Sequence, residues 1–350
     1  MSFERVIPKL LTWYELEKRE LPWRDTLNPY YIWVSEIILQ QTRVNQGLPY
    51  YFKFVDKFPK IYDLAVADEE EVLKIWQGLG YYSRARNMQK AANVVINDLD
   101  GKFPENFTSI KKLPGVGDYT AAAIASFAFE EPVPVVDGNV KRVFARFLGI
   151  HENIQSGKFQ TAVFAHLSGV IPKRKPSIFN QAMMELGALV CTPKKPDCEN
   201  CPIAEYCIAK SKNLQNELPV IIKKTKVQKR TIHYLFIKDK KQNCSIQKRP
   251  TNSIWGGLYE FPNFEKNSIS FPYELLDIVE FKCEVEVKVP EKPLGMTTHK
   301  LSHQSINAIL WFLEVEQIVE NQSNKCVRIA NLNNFPIHKL MLKFVDWIHE

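Results

Sequence analysis

The sequence lacks several features that would assign it to a special class. No run of apolar residues approaches the roughly 18 that a membrane-spanning helix needs. Residues 1–20 mix Glu, Lys and Arg with apolar side chains, so they lack the unbroken apolar block of a secretory signal. Internal repeats and low-complexity tracts are also missing. We therefore predict a cytoplasmic protein.

The chain has few cysteines and a small net charge. The 7 cysteines are an odd number, which argues against a disulfide framework in a cytoplasmic chain. Lys and Arg number 46 against 39 Asp and Glu, a net charge of +7. This mild excess favours a polyanionic partner, although a basic enzyme that binds no nucleic acid remains an alternative. With 45% hydrophobic and 24% charged residues, the composition is that of a globular protein.

The pattern of the chain changes near residue 214. Before it, segments such as 61–78 and 83–99 place apolar residues at helical spacing. After it come predicted strands and one closing helix; the strands are 231–238, 244–248, 283–289 and 305–312, and the helix is 335–349. We therefore predict a multi-domain fold of the α and α+β classes. Its parts are a helical region 1–213, a basic linker 214–230 and an α+β domain 231–350.

A compact group of cysteines predicts a metal centre. Cys191, Cys198, Cys201 and Cys207 follow a C-x6-C-x2-C-x5-C spacing within seventeen residues. This spacing differs from the paired C-x2-C knuckles of common zinc sites, and four cysteines are the usual ligands of a [4Fe–4S] cluster. Zinc and four unrelated thiols remain alternatives. The other cysteines, Cys244, Cys283 and Cys326, stand singly and are interpreted as ordinary thiols.

A glycine-containing turn separates two predicted helices, 107–112 and 119–129. Gly115 and Gly117 permit a tight turn, which would expose backbone N–H groups at the start of the second helix. Such a helix start binds a DNA phosphate without a charged side chain. Because many helix pairs turn in this way, an ordinary helix pair is the alternative.

Two carboxylates lie in apolar surroundings. Asp137 lies within VPVVDGNVKRV, where it could either cap the following helix or face a developing cation in a cleft. Glu36 lies within SEIILQQTR, where it could either act in chemistry or be an exposed glutamate in the first turn of a helix.

Together these elements resemble the iron–sulfur branch of the helix–hairpin–helix superfamily of DNA glycosylases. Asp137 follows Tyr119 of the hairpin motif LPGVGDYTAAA by eighteen residues, and the cysteine loop begins 54 residues later. Within this branch, the runs PWRDTLNPYYIWVSEIILQQTRV at 22–44 and GLGYYSRARN at 78–87 are similar to the MutY family of adenine DNA glycosylases. The resemblance implies an all-α core with a [4Fe–4S] loop, followed by a Nudix-like α+β domain.

The resemblance also separates this chain from endonuclease III, the bifunctional pyrimidine glycosylase and AP lyase that is the alternative. That family carries a Lys nucleophile where Tyr119 stands here, and a tyrosine cannot form the Schiff base that leads to strand cleavage. Compact endonuclease III also lacks the final domain of about 120 residues. A cluster-bearing DNA-binding protein without catalysis is a third interpretation.

The final domain resembles a Nudix fold without hydrolase chemistry. WGGLYEFP at 255–262 is similar to the start of such a domain, while KNSISFPYELL at 266–276 lacks the Glu-rich metal-binding helix of Nudix hydrolases. We interpret it as a module that senses 8-oxoguanine. Its recognition loop reads His299-Lys300-Leu301-Ser302-His303, where many relatives have Phe in place of Leu301.

The resemblance implies a role for individual residues. Glu36 protonates adenine and then activates water, and Asp137 stabilises the sugar cation, as two carboxylates do in a retaining glycosidase. We expect a raised pKa for Glu36. Tyr119 and Asn139 position these groups. On pattern alone, Tyr81 would be a core residue, because Tyr82 adjoins it and one of the two rings should pack inward. The remaining candidates are residues of the DNA and lesion surface (Gln41, Thr42, Tyr81, Gly115, Gly117, Ser302, His303), of the adenine pocket (Trp23, Arg24, Gln181) and of phosphate contacts (Lys173, Arg174, Lys175, Lys194, Lys195).

The implied partner is double-stranded DNA that contains adenine opposite 8-oxoguanine or guanine. We expect a monomer of bacterial type that associates with the nucleoid. A mild basic excess fits such a partner, since phosphate contacts dominate DNA affinity.

Overall fold

The computed structural model describes residues 3–222, 227–267, 290–318, 320 and 324–349. The chain forms two compact units, one of Met1–Val66 with Lys90–Lys223 and the other of Ala67–Gln89 with Lys224–Glu350. The limits 1–213, 214–230 and 231–350 inferred from the sequence stay a prediction. Within the described ranges, the helices are too short or too polar to cross a membrane.

Helices make up the described part of the chain before residue 213. They are α1 (Ile7–Glu17), α2 (Pro29–Leu39), α3 (Val44–Lys57), α4 (Ile61–Val66), α5 (Glu69–Ile75), α6 (Ser83–Asp98), α7 (Phe107–Ile110), α8 (Asp118–Phe129), α9 (Gly138–Phe147), α10 (Gly157–Val170), α11 (Pro176–Leu189) and α12 (Ile208–Ser211). The predicted segment 61–78 is two helices, because the backbone at Asp68 is extended. The predicted helix–turn–helix is confirmed as α7 and α8.

The first unit contains an apolar core that packs against the cysteine loop. It is built mainly from α1, α9, α10 and α11, with Phe3, Phe147 and Phe179 fully buried. The rings of Phe3 and Phe147 pack edge to face with centroids 4.8 Å apart, an arrangement that favours a fixed geometry. The cysteine loop packs against the same core through Cys191 and Cys207. A single core therefore supports α9 and the cysteine loop.

A mixed sheet forms the second unit. Its strands are β1 (Gln228–Asp239), β2 (Asn243–Lys248), β3 (Tyr259–Glu260), β4 (Asn263–Glu265), β5 (Gly295–Lys300), β6 (Gln304–Val315) and β7 (Asn324–Arg328). The order is β3-β2-β1-β6-β5, with β4 on β1 and β7 on β2. β1 and β6 run parallel, with Tyr234 opposite Leu310. The predicted strands 231–238, 244–248 and 305–312 are confirmed, while 283–289 lies outside the described residues.

The last helix, α13 (Lys339–His349), begins four residues later than predicted. Pro336 and Ile337 are held by Tyr259 instead, which donates its backbone N–H to the Pro336 carbonyl at 2.9 Å. His338 then accepts from the Met341 backbone N–H at 3.1 Å and caps the helix. α13 packs Phe344 on Tyr234 of the sheet, with ring centroids 5.1 Å apart.

Candidate active site

Glu36 is a buried carboxylate near the end of α2. Its side chain is 6% exposed, and the hydroxyl of Tyr119 donates to its Oε2 at 2.6 Å. Burial raises the pKa of Glu36 to about 7; the Tyr119 hydrogen bond opposes this rise, and the charge of Asp137 adds to it. The alternative of an exposed first-turn glutamate is therefore wrong. The increase in pKa has the direction that we expect for a general acid.

Asp137 is held at the N-terminus of α9 by two hydrogen bonds. Its Oδ1 accepts from the Val140 backbone N–H and its Oδ2 from the Asn139 side-chain amide, both at 2.7 Å. Burial raises the pKa of Asp137, and these hydrogen bonds act against the rise. The carboxylate thus serves as a helix cap. A half-buried carboxylate with both oxygens fixed is also suited to face a cation.

Arg142 connects Asn139 with the cysteine loop. Its guanidinium donates to Asn139 Oδ1, to the Gly187 carbonyl and to the Cys191 carbonyl, each at 2.7 Å. Sequence reasoning missed this residue. The available signal was a pair of arginines, Arg142 and Arg146, four residues apart on a helix whose other positions are largely apolar.

Gly187 of α11 allows α9 to approach closely. A Cβ atom at this position would lie 2.6 Å from the Cβ of Asn139, which is much closer than packed carbon atoms can come. Any larger residue would displace Asn139, and with it the hydrogen bond to Asp137. Sequence reasoning missed this requirement too, because nothing local to Gly187 signals the contact.

Two of the three candidates for the adenine pocket, Arg24 and Gln181, contact the same tyrosine, and the third, Trp23, contacts Tyr51. Gln181 accepts from the Tyr14 hydroxyl at 2.9 Å, and the Arg24 guanidinium lies 5.6 Å from the Tyr14 ring centroid. Arg24 also donates to Glu185 at 2.8 Å. Trp23 is nearly buried and packs edge to face on a neighbouring tyrosine ring at 5.0 Å. None of these partners was predicted from the sequence.

Glu185 is a buried acceptor for two arginines. It is 1% exposed and also accepts from Arg19 at 2.6 Å. Burial alone would raise its pKa, but the hydrogen bonds from Arg19 and Arg24 outweigh burial and lower it to about 2. Glu185 is therefore ionised at neutral pH and fixes the orientation of Arg24.

The hairpin and the turn after α2 are both open to solvent. Gly115 has φ +75°, and a Cβ at Gly117 would meet nothing within 4 Å. Gln41 is exposed in the left-handed conformation with φ +60°, next to Thr42. The neighbouring Gln40 donates to Thr120 of α8 at 3.1 Å and ties this turn to the hairpin helix.

Tyr81, Ser302 and His303 come together in the second unit. The Tyr81 hydroxyl and Ser302 Oγ are 3.3 Å apart, and Ser302 Oγ lies 3.2 Å from His303 Nδ1. Tyr81 is 50% exposed and Tyr82 is 5% exposed, so the core position that the pattern alone favours for Tyr81 is wrong. Leu301 is partly buried against the sheet core.

The four cysteines line a single cavity at the end of α9. Apolar side chains complete its wall, among them Val143, Phe147 and Leu186. Arg146 donates to Cys191 Sγ at 3.3 Å and to the Thr192 carbonyl at 2.7 Å. Four thiols around an apolar cavity, with an N–H donor to sulfur, fit an iron–sulfur cluster. The ligands would be Cys191, Cys198, Cys201 and Cys207.

Family models match three parts of the chain. The model of HhH-GPD superfamily base excision DNA repair proteins matches residues 34–166. That of the iron–sulfur binding domain of endonuclease III matches 191–207, and that of the NUDIX domain matches 233–347. The second match covers the four cysteines, so the prediction of a [4Fe–4S] cluster is confirmed. The predicted fold class is confirmed as well.

Named relatives match between 60% and 96% of the chain. An adenine DNA glycosylase of Buchnera aphidicola subsp. Acyrthosiphon pisum is 35% identical, with 96% of each chain covered. An adenine DNA glycosylase of Homo sapiens is 44% identical over 60% of this chain and 40% of its own. Among solved structures, a thermostable thymine-DNA glycosylase is 32% identical with a TM-score of 0.54, covering 60% of this chain and 97% of that one. On the identity and coverage of the Buchnera relative, this chain belongs to the adenine DNA glycosylase family.

Proposed function

We propose that this enzyme hydrolyses the N-glycosidic bond of adenine that is mispaired with 8-oxoguanine or guanine in double-stranded DNA. The observation that carries the proposal is the buried Glu36, whose pKa of about 7 leaves a large protonated fraction at neutral pH. A general acid is most effective when its pKa lies near the working pH. Adenine is a poor leaving group unless it is protonated, and Glu36 supplies that proton.

Asp137 stabilises the positive charge that develops on the sugar. Its two oxygens are held by Val140 and Asn139, so it need not reorganise as the cation forms. With Glu36 protonated and Asp137 ionised, the two carboxylates take the two roles seen in a retaining glycosidase. Glu36, ionised after the proton transfer, then activates water.

Tyr119 positions the acid and does not attack the sugar. Its hydroxyl donates to Glu36, and a phenol cannot form the Schiff base of a lyase. The enzyme is accordingly monofunctional, and it leaves an abasic site rather than a broken strand.

The adenine must leave the base stack before any of this chemistry, at a cost of a few kcal/mol. The exposed, left-handed Gln41, with Thr42 beside it, and the half-exposed Tyr81 enter the duplex near the lesion, while Gly115 and Gly117 bind phosphate at the start of α8. Trp23, Arg24 and Gln181 hold the flipped adenine. Ser302 and His303 read the 8-oxoguanine.

The cluster supplies structural support to its loop when bound. Lys194 and Lys195 of this loop and the run Lys173-Arg174-Lys175 are exposed. They contact phosphates, so affinity for DNA should fall as salt rises. The enzyme binds duplex DNA as a monomer.

The test uses a duplex labelled on the adenine strand, with adenine opposite 8-oxoguanine. Wild-type protein and Asp137→Asn are each incubated with it, and half of every sample is treated with hot alkali. We expect a break at adenine that requires alkali and is missing with the variant. A second duplex carries thymine glycol. Cleavage of this second duplex without alkali, together with no break at adenine in the first, would overturn the proposal in favour of an endonuclease III-like activity.

A further inference from the structure

A segment within the glycosylase match packs as part of the Nudix-like unit. Residues Ala67–Gln89, here named the anchor segment, lie inside the 34–166 match but belong to the same compact unit as Lys224–Glu350. The segment contains α5, the start of α6 and, between them, Tyr81. The contacts that hold it therefore decide where Tyr81 lies relative to the recognition loop.

Glu70 makes the first of these contacts. Its Oε1 accepts from the Tyr259 hydroxyl at 2.7 Å and from Lys248 Nζ at 2.9 Å. Tyr259 is 7% exposed, and loss of the Glu70 side chain would remove the carboxylate that accepts from its hydroxyl. Despite partial burial, the hydrogen bonds from Tyr259 and Lys248 lower the pKa of Glu70. The carboxylate is therefore ionised at neutral pH.

Two further side chains hold the segment at both ends. Lys74 of α5 donates to the Phe335 carbonyl at 3.2 Å and to the Asn333 carbonyl. Arg86 of α6 donates to the Thr251 carbonyl at 3.1 Å and to the Gly256 carbonyl. All four acceptors are backbone atoms of the Nudix-like unit.

Gly257 permits this close packing. It has φ +82°, and a Cβ there would lie 3.2 Å from both Glu69 Oε1 and Leu73 Cδ1. A side chain at this position would be strained in its backbone and would press on α5. Gly257 of the WGGLYEFP motif thus permits both its own turn and the close packing of α5.

The loop that carries Tyr81 is fixed internally between the two ends. Trp76 Nε1 donates to the Gly80 carbonyl at 3.1 Å, and the Tyr82 hydroxyl accepts from the Gly78 N–H at 3.2 Å. Arg84 donates to the same Gly80 carbonyl at 3.2 Å. Displacement of α5 is therefore transmitted to Tyr81 and to its contact with Ser302.

We propose that Glu70 is a specificity-determining positioning residue: it fixes the anchor segment on the Nudix-like unit and so sets Tyr81 against Ser302. This inference rests on the proposed function. It deepens that function because it assigns part of the discrimination between 8-oxoguanine and guanine to a residue that touches neither base. Loss of the Glu70 contacts lowers discrimination and leaves the chemical step intact.

The experiment compares wild type, Glu70→Ala, Tyr259→Phe and their double variant on duplexes with adenine opposite 8-oxoguanine or guanine. Asp98→Ala, at the exposed end of α6 and outside the anchor segment, is the control for loss of a helix carboxylate. Single-turnover rates are measured at limiting and at saturating enzyme. Glu70→Gln keeps an acceptor for Tyr259 and tests rescue if the alanine variant does not fold.

We expect Glu70→Ala to lower the ratio of limiting rates, 8-oxoguanine duplex over guanine duplex, by about tenfold, equivalent to about 1.4 kcal/mol. The saturating rate should stay within about twofold of wild type, Glu70→Gln should lie between wild type and Glu70→Ala in its ratio of limiting rates, and Asp98→Ala should match wild type. The double variant should fall no further than Glu70→Ala, since residues acting through one contact are non-additive.

Equal losses on both duplexes, or additive effects in the double variant, would overturn the inference. A wild-type enzyme that discriminates and a Glu70→Ala variant that discriminates equally well would overturn the inference and leave the proposed function standing. A wild-type enzyme that excises no adenine would overturn the proposed function, and the inference with it.

Discussion

Arg142 connects Asn139 to the Cys191 carbonyl with hydrogen bonds of 2.7 Å on either side. Asn139 in turn donates to Asp137. The carboxylate proposed to stabilise the sugar cation and a cysteine proposed to bind the cluster are thus two side chains apart, and both contact the same guanidinium directly or through Asn139.

Replacement of Arg142 by glutamine should slow base excision without weakening DNA binding. The variant leaves buried acceptors at Asn139 and Cys191 unpaired, at about 1–3 kcal/mol each. We expect a single-turnover rate about 10- to 100-fold lower, measured at saturating enzyme, with DNA affinity within about threefold. Lys158→Ala, a change at an exposed position of α10, is the control. An unchanged rate would contradict the positioning role of Arg142.

The rate of adenine excision should depend on pH in a bell shape. In the proposed mechanism Glu36 acts while protonated, so the rate falls as pH rises through about 7, the value to which burial raises the pKa of this group. Asp137 acts while ionised, so the rate falls again as pH drops through its pKa, which burial raises. The measurement is the single-turnover rate between about pH 4 and 9.

Tyr119→Phe should move the alkaline limb of that profile to higher pH. The Tyr119 hydroxyl stabilises ionised Glu36 and lowers its pKa, so its removal raises the pKa and keeps the acid protonated further into the alkaline range. A shift to lower pH, or no shift, would show that Tyr119 does not act through Glu36.

Gly187→Ala should destabilise the protein and slow the chemistry. The new Cβ would lie 2.6 Å from that of Asn139, and overpacking of this kind costs about 1–3 kcal/mol. Gly169→Ala, in α10, is the matched control, because a Cβ there meets nothing within 4 Å. That variant should be neutral or more stable by up to about 1 kcal/mol. Thermal unfolding and single-turnover rates test both variants, and equal behaviour of the two would refute the contact.

Glu185→Gln should lower stability in a way that depends on pH. The variant leaves Arg19 and Arg24 without their carboxylate, a loss of about 3 kcal/mol for a buried pair. The folded pKa of Glu185 is about 2, so its contribution is complete above the unfolded value near 4.3 and is lost as pH falls towards 2. Denaturant unfolding should show a constant deficit at pH 5–7 that narrows below about pH 4. A deficit that does not depend on pH would contradict this assignment.

Local patterns predicted the elements that local residues determine. The strand periodicity at 231–238, the helix at 83–99 and the turn between α7 and α8 follow from neighbours a few residues apart. Arg142, Glu185 and Gly187 were not predicted because each has a partner that is distant in sequence; Arg24 and Glu185, for example, are 161 residues apart. No periodicity reports such contacts.

The backbone conformation at Tyr81 and Tyr82 explains why the sequence pattern predicted the wrong ring for the core. Two adjacent tyrosines predict that one ring packs inward, but their adjacency does not identify which ring it is. Gly78, Gly80 and Tyr81 all adopt positive φ, and these reversals direct the ring of Tyr82 into the core and that of Tyr81 to solvent. The lesion-facing role of Tyr81 came from the resemblance to a family, and the conformation explains why the pattern argument failed.

The contacts of the anchor segment determine where this enzyme can be truncated and which residues a domain exchange must include. A chain cut after residue 213 would retain Glu36, Tyr119 and Asp137, yet it would lose the Tyr259 hydroxyl and the backbone carbonyls that hold Glu70, Lys74 and Arg86. The two compact units therefore do not separate at the point where the sequence changes character. The border between them lies within the first 213 residues, and a swap of the Nudix-like domain between relatives would have to carry residues 67–89 with it.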